Sequence, residues 1–383
     1  MTVFNILNNH PTRWVGRNWC KRRLTSLKIC KDKQSPQWKL LFFGTDSFSL
    51  EHVKALKNNM DKNINGRRIV ERLEVVIPSQ RTCEVKSYAE RENIKYHVWP
   101  VSNEVLEKFD LGVLASFGHM IPKKVLTTLP RGIINIHPSL LPNLRGPAPI
   151  PHTILRGDRI TGVTIIQLLP PSNGVDTGPI LSQKKFQVDE NAFTLDLMKL
   201  LAKNGSKMLL EVLKEYKKST AENQATEISS DYYAFKFKTL HSYINWNHLA
   251  ENIYKQYKAL GYSMELRSSF KGNRVRLHEM HKPDYRIPSL FKSEGKLSNR
   301  LNVLGSESNQ DSFNQIKNGR VFYSKEKNSL AIKCSDSFIY FNKITLHKRM
   351  SALDFYNGYL TKTKEFVLEV KDNELDKCFL IRD

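Results

Sequence analysis

Lys39-Leu40-Leu41-Phe42-Phe43 runs directly into Gly44-Thr45-Asp46, and Ser47–Lys57 continues with helical spacing. An unbroken apolar run, then a turn, then an amphipathic helix is the opening unit of a sheet buried on both faces. The alternation repeats as far as about residue 190. Leu73–Ile77 reads as a second strand, stopped by Pro78; Glu84–Glu92 is helical, Tyr96–Trp99 a short strand and Leu111–Ser116 a buried one. Gly132–Ile136 is another strand, followed by a Pro/Gly-rich loop from Pro138 to Pro149. This pattern predicts an α/β fold with a mostly parallel sheet. Ligands of such sheets lie beyond the carboxyl ends of the strands, so chemistry is expected after Ser116 and after Ile136.

Further along, Thr194–Lys217 reads as a long helix, with Leu195, Leu197, Met198, Leu201, Met208, Leu209, Val212 and Leu213 as its apolar residues. Lys218–Ser230 is polar and reads as a linker. Beyond it the texture changes to short alternating strands, at Arg274–Leu277, Arg320–Tyr323, Leu330–Cys334 and Phe338–Lys343, with one amphipathic helix at Trp246–Ala259. Ser293–Asn318, rich in Ser, Asn and Gly, reads as a mobile loop inserted among them. Strands at this spacing predict a small β-barrel-like domain, a common nucleic-acid platform. The expected division is an extension over 1–38, a first domain over 39–217, a linker over 218–230 and a β-rich domain over 231–383.

The chain has 383 residues, enough for two domains, and a formal net charge of +22 from 60 Lys+Arg against 38 Asp+Glu. So large a surplus points to a polyanionic partner, most simply a nucleic acid. Residues 1–38 hold eight of the basic residues and only one acid, Asp32; without them the charge is still about +15. That basic, acid-poor, hydroxyl-containing segment suits a mitochondrial transit peptide, with a basic arm that binds RNA directly as the alternative. No stretch approaches the ~18 apolar residues of a membrane span, so no transmembrane segment is expected. Cys20, Cys30, Cys83, Cys334 and Cys378 are scattered, with neither disulfide-framework nor zinc-ligand spacing, so no metal is expected and the thiols fit a reducing, intracellular setting.

The densest segment is Asn135-Ile136-His137-Pro138-Ser139-Leu140-Leu141-Pro142, continuing Asn143-Leu144-Arg145-Gly146-Pro147-Ala148-Pro149, with Gly174-Val175-Asp176-Thr177-Gly178 further on. Asn135 and His137 are two apart at a strand end, so both side chains leave the same face. Asp176 sits between glycines in a tight loop that can bring a carboxylate to the imidazole. An amide, an imidazole and a carboxylate suit acyl transfer: the first two stabilise a tetrahedral oxyanion and the third orients the imidazole. No nucleophile-elbow Ser or Cys accompanies them, which argues for direct transfer. On geometry alone, an Asn-x-His at a strand end is more often a satisfied turn and a surface histidine.

The whole segment, followed by Gly162-Val163-Thr164-Ile165 and Val175-Asp176-Thr177-Gly178, closely resembles the 10-formyltetrahydrofolate-dependent formyltransferase family. The resemblance extends over 39–365 and implies a Rossmann-like formyltransferase fold with Asn135, His137 and Asp176 as the catalytic trio. It implies a 10-formyltetrahydrofolate site lined by Ser139, Leu140, Leu141 and Pro142, with Phe117, Gly118 and Ile121 as wall residues. Gly44-Thr45-Asp46-Ser47-Phe48 resembles the family's first-strand loop, near the active site. Arg145-Gly146-Pro147-Ala148-Pro149-Ile150, a β-rich basic domain, and Ala352–Leu360 narrow the resemblance to the branch acting on methionyl-tRNA, the last being similar to animal mitochondrial members. That implies a matrix enzyme of translation initiation, expected as a monomer. The basic loop by which bacterial members contact the acceptor stem is short here, at Pro78–Val85, with Arg81 its only basic residue. Arg145 or the C-terminal domain is expected to compensate.

Lys236, Lys238, Lys255, Lys258, Arg267, Lys271, Arg274, Arg276, Lys343, Lys348 and Arg349, interleaved with Tyr and Phe, are expected to form a tRNA phosphate surface, with Lys271, Arg274 and Arg276 central. His278-Glu279-Met280-His281 lacks the four-residue histidine spacing of a zinc-protease helix, and no Gly-rich phosphate loop is present. Two other readings stand beside the main one: a formyl-folate hydrolase or sugar-amine formyltransferase, and a non-catalytic RNA-binding protein on this fold.

Overall fold

The computed structural model describes residues 37–61, 68–79, 82–170, 172, 174–216, 232–283, 313–363, 365–371, 375, 378 and 379. The expectations for 1–36, the linker at 218–230, Arg81 and residues 293–312 lie outside the described residues.

The first sheet has seven strands in the order β3-β2-β1-β4-β5-β6-β7. These are β1 (Trp38–Phe43), β2 (Val70–Ile77), β3 (Tyr96–Val98), β4 (Leu111–Leu114), β5 (Ile133–His137), β6 (Ile160–Gln167) and β7 (Ile180–Gln187). β3 to β5 pair in parallel, and β6 and β7 join antiparallel. The unbroken apolar run of β1 follows from its two covered faces: Leu40 and Phe42 enter one core, Leu41 and Phe43 another. The first core lies under α1 (Ser47–Asp61), α2 (Glu84–Arg91) and α6 (Thr194–Glu215); the second lies toward α3 (Asn103–Leu106) and α4 (Lys123–Thr128). Trp38, expected in the N-terminal extension, opens β1 and donates its indole N–H to Leu213 O at 2.8 Å. The strand order reverses between β1 and β4, which locates the crevice. There the hydroxyl of Thr45, after β1, donates to Ser116 O, after β4, at 2.8 Å.

α5 (Pro149–Arg156) begins where the Pro138–Pro149 loop ends: Pro149 stands at its start, where a missing N–H costs nothing, and Gly157 ends it at φ +75°. α7 (Ala250–Leu260) packs on α5 and ties the second domain to the first, with Ala259 and Leu260 in the first core and Thr194 Oγ1 donating to Ala259 O.

The second domain is an antiparallel sheet in the order β10-β11-β12-β9-β8, with β13 beside β12. Its strands are β8 (Leu266–Phe270), β9 (Asn273–Met280), β10 (Val321–Ser324), β11 (Ser329–Lys333), β12 (Phe338–Thr345) and β13 (Arg349–Ser351), followed by α8 (Ala352–Gly358). Residues 366–369 close it into a barrel. Val321 N–H donates to Phe366 O and Leu368 N–H to Gly319 O on one edge, while Glu369 N–H donates to Ser269 O on the other. Part of the expected mobile loop belongs to this domain's packing: Phe313 and Ile316 are buried with Ala331, Phe338 and Tyr340, because apolar side chains there cover an otherwise open sheet face.

Candidate active site

β5 carries Asn135 and His137 on its crevice-facing side, alternating with the core residues Ile134 and Ile136. Asp176 reaches them from the loop between β6 and β7, in the left-handed region at φ +55°. All three are less than a tenth exposed. Asn135 Nδ2 donates to Asp176 Oδ1 at 3.0 Å, and the Gly146 N–H donates to Asp176 Oδ2 at 3.0 Å. His137 Nε2 lies 2.9 Å from Leu144 O. A carbonyl only accepts, so Nε2 carries the proton and Nδ1 is the nitrogen facing Asp176 Oδ2, at 3.6 Å. At that distance the carboxylate faces the imidazole without a hydrogen bond to it, so it does not by itself orient the ring as the sequence suggests. The imidazole is oriented by the Leu144 carbonyl, presented by a residue at φ +55°.

The loop between β5 and α5 is locked by its own polar groups. Ser139 Oγ donates to Asn143 O at 2.8 Å, Thr164 Oγ1 donates to Ser139 O at 2.7 Å, and Leu141 N–H donates to Thr164 Oγ1 at 3.2 Å. Gln183 Nε2 donates to Leu141 O at 2.9 Å. Leu140 packs over Gly162, where a Cβ would overlap it, so the small residue of Gly162-Val163-Thr164-Ile165 is required by close approach. Leu141 is buried; Leu140 and Pro142 are half-buried. After β4, Phe117 is buried edge-on against Phe43 and Trp99, and Ile121 is buried beside them, whereas Gly118 is exposed at φ +79° with open space where a Cβ would stand. The two segments thus leave the carboxyl ends of neighbouring strands.

Asp46 accepts from the Ser49 N–H at 3.0 Å and the Ser49 hydroxyl at 2.9 Å at the start of α1. Burial raises its pKa against the opposing effect of those bonds. Burial also lowers His52 and His152 to about 4, so both are neutral at pH 7.

The basic residues divide. Arg145 is half-buried between Leu144 and Gly146, at the site itself. Lys271, Arg274 and Arg276 share the β8–β9 hairpin: the first two are exposed, and Arg276 pairs with Glu265 at 2.9 Å. Lys255 and Lys258 do not belong to an exposed surface. Both are buried on α7, with Lys258 Nζ donating to Glu190 O, because their long stems pack where α7 meets the first domain. Lys343 pairs with Glu279. Among the described residues no group of His, Cys, Asp and Glu is arranged to hold a metal ion, and no helix is long and apolar enough to cross a membrane. The sequence reading misses the Gly146 N–H and the Leu144 carbonyl, since backbone groups leave no residue-type signature; Gly146, at φ +108°, is the one hint of a close backbone approach.

Residues 39–213 match the family described as formyl transferase, and residues 236–360 match its C-terminal domain. The chain is 33% identical over 338 residues to the mitochondrial methionyl-tRNA formyltransferase of Homo sapiens, covering 86% of this chain and 81% of that one. Among solved structures it resembles an N-formyltransferase from Helicobacter canadensis in complex with folinic acid and dTDP-3-aminofucose, at TM-score 0.52 and 16% identity, over 79% of this chain and 98% of that one. It also resembles HypX from Aquifex aeolicus in complex with tetrahydrofolic acid, at TM-score 0.51 and 15% identity, over 87% of this chain but only 51% of that one.

Proposed function

The chain belongs to the formyl transferase family, and from that premise we propose that it transfers a formyl group from 10-formyltetrahydrofolate to the α-amino group of methionyl-tRNA. One observation carries the reading: a single buried carboxylate, Asp176, is bonded by Asn135 and Gly146 and faced by His137 Nδ1.

The amine nitrogen attacks the formyl carbon and the carbonyl electrons move to oxygen. The C–N10 bond then breaks as the carbonyl re-forms. Asn135 has two amide N–H groups; one is committed to Asp176, and the other is the donor we assign to the oxyanion. His137 has its Nε2–H on Leu144 O, so Nδ1 takes the proton lost by the amine. Asp176 stabilises the resulting imidazolium, whose charge lies beside the oxyanion, and the proton passes on to the departing N10. Ser139–Pro142 and Phe117, Gly118 and Ile121 are the residues we assign to the folate. Arg145 with Lys271, Arg274 and Arg276 are those we assign to the tRNA.

The human relative's mitochondrial name and the basic segment before Trp38 support a mitochondrial setting. We assign matrix localisation, a removable leader ending before Trp38, a first domain of 39–217 together with Trp38, a second over 231–383 joined to it by 218–230, and a role in translation initiation. Labelled formyl transfer to methionyl-tRNA, compared with glycinamide ribonucleotide, an amino sugar nucleotide and water, tests the reading. Methionyl-tRNA is expected to be the preferred acceptor by a wide margin. Transfer to another amine, or hydrolysis alone, would overturn it.

A further inference from the structure

One peptide unit at the site is bonded at both ends. The Arg145 carbonyl accepts from the Ala234 N–H at 2.7 Å, and the Gly146 N–H of the same peptide donates to Asp176 Oδ2 at 3.0 Å. Ala234 O in turn accepts from the Ala148 N–H at 3.1 Å. Residues 232–235, where the chain enters the second domain, therefore lie as a strap across the loop that holds the carboxylate. The strap is anchored on α5: His152 Nε2–H donates to Phe235 O at 2.9 Å, the Tyr232 hydroxyl donates to His152 Nδ1 at 2.9 Å, and His152 stacks on Phe237. Between strap and loop stands Tyr233. Its ring covers Gly146 so closely that a methyl there would lie 2.7 Å from Cε2 and Cζ, yet the residue is 52% exposed.

We propose that Tyr233 is a positioning residue for formyl transfer, holding the Arg145–Gly146 peptide so that its N–H fixes Asp176 against Asn135 and His137. The inference rests on the role assigned to Asp176 above. Hydrogen bonds in series polarise one another, so the Ala234 contact strengthens the donor that Gly146 offers to the carboxylate. The strap belongs to the second domain's chain, so how that domain seats is felt at the reacting centre through the strap's backbone bonds to Arg145 and Ala148.

Steady-state kinetics on the full chain test this. Tyr233→Ala should lower kcat about tenfold, as expected for a displaced reacting group. Its KM for methionyl-tRNA should stay within about twofold, and Tyr233→Phe should restore most of the loss because the ring, not the hydroxyl, covers Gly146. Gly146→Ala should be at least as damaging, and adding Tyr233→Ala to it should cost little more, since both disturb one peptide. Circular dichroism checks the fold; if Tyr233→Ala does not fold, Tyr233→Val carries the same prediction. Unchanged kcat in Tyr233→Ala overturns the proposal. A rise in KM alone also overturns it, marking the ring as a tRNA contact. Asp176→Asn, run alongside, separates the two levels: an active Asp176→Asn defeats the assigned chemistry, whereas an inactive one beside a fully active Tyr233→Ala defeats only the strap.

Discussion

Asn135 donates its amide to Asp176 Oδ1 at 3.0 Å although 41 residues of chain separate them. That bond fixes which way the amide faces. Asn135→Ala should lower turnover on the order of 10²–10³, as for loss of one oxyanion donor. It should cost about 1–3 kcal/mol of stability through the carboxylate's lost partner. Asn135→Asp should be no more active, since it sets a second carboxylate against the first. Single-turnover transfer and thermal melts read the two effects, and near-normal turnover in Asn135→Ala ends the assignment.

Asp176→Asn keeps the side chain's shape but removes the charge facing His137 Nδ1 at 3.6 Å. Turnover should fall on the order of 10²–10⁴, the range of a positioned acid–base pair, with the melting transition still cooperative. If charge is irrelevant, Asp176→Asn will match the parent.

His52 and His152 make stability pH-dependent. His52 donates Nδ1–H to Phe48 O at 2.8 Å and turns Nε2 toward Gly205, and burial pulls both imidazoles from the ordinary 6.5 to about 4. The unfolded chain takes up these protons near pH 6.5, while the fold refuses them until about pH 4. Stability therefore falls as pH falls through that window, by about 2 kcal/mol per histidine between neutrality and roughly pH 5. Below the lower value these groups add no further loss. Urea midpoints at the two pH values measure the drop, and His52→Leu should reduce it; an equal drop in that variant would clear His52 of the effect.

On the β8–β9 hairpin, Lys271 and Arg274 are exposed, whereas Arg276 is paired with Glu265. Lys271→Ala and Arg274→Ala should each weaken tRNA binding and lower the slope of log K against log salt by about 1. Arg276→Ala should change it less. Filter binding across a salt series decides, and a salt-insensitive affinity would remove the hairpin from the tRNA surface.

The parallel strands were readable because each is an apolar run closed by a turn residue, and Asn135 and His137 because they stand two apart at such a run's end. Asp176 stood out through the glycines on either side of it, but its place in the trio came with the family resemblance, since nothing local tells a loop aspartate which strand it will meet. β6 and β7 escaped as strands: β7 is an edge strand with exposed Lys184 and Lys185, so no buried face marks it. β8, Leu266-Arg267-Ser268-Ser269-Phe270, has no β-branched residue to announce it. α5 hid behind its prolines. Lys255 and Lys258 looked solvated because a lysine's burial depends on what its stem packs against, which spacing does not disclose. The strap at 232–235 is defined wholly by pairing with residues far away in sequence.

The barrel is sealed by Phe366–Glu369, which bonds β8 on one side and the approach to β10 on the other. Any process that delivers the chain from its N-terminus, whether ribosomal synthesis or threading through a translocation pore, supplies this staple last. Until then the outer edge of β10, and that of β8 beyond the bond Arg267 O accepts from the Ile244 N–H at 2.8 Å, present unpaired backbone, and the half-made domain is the stage at which chaperones would have most to hold.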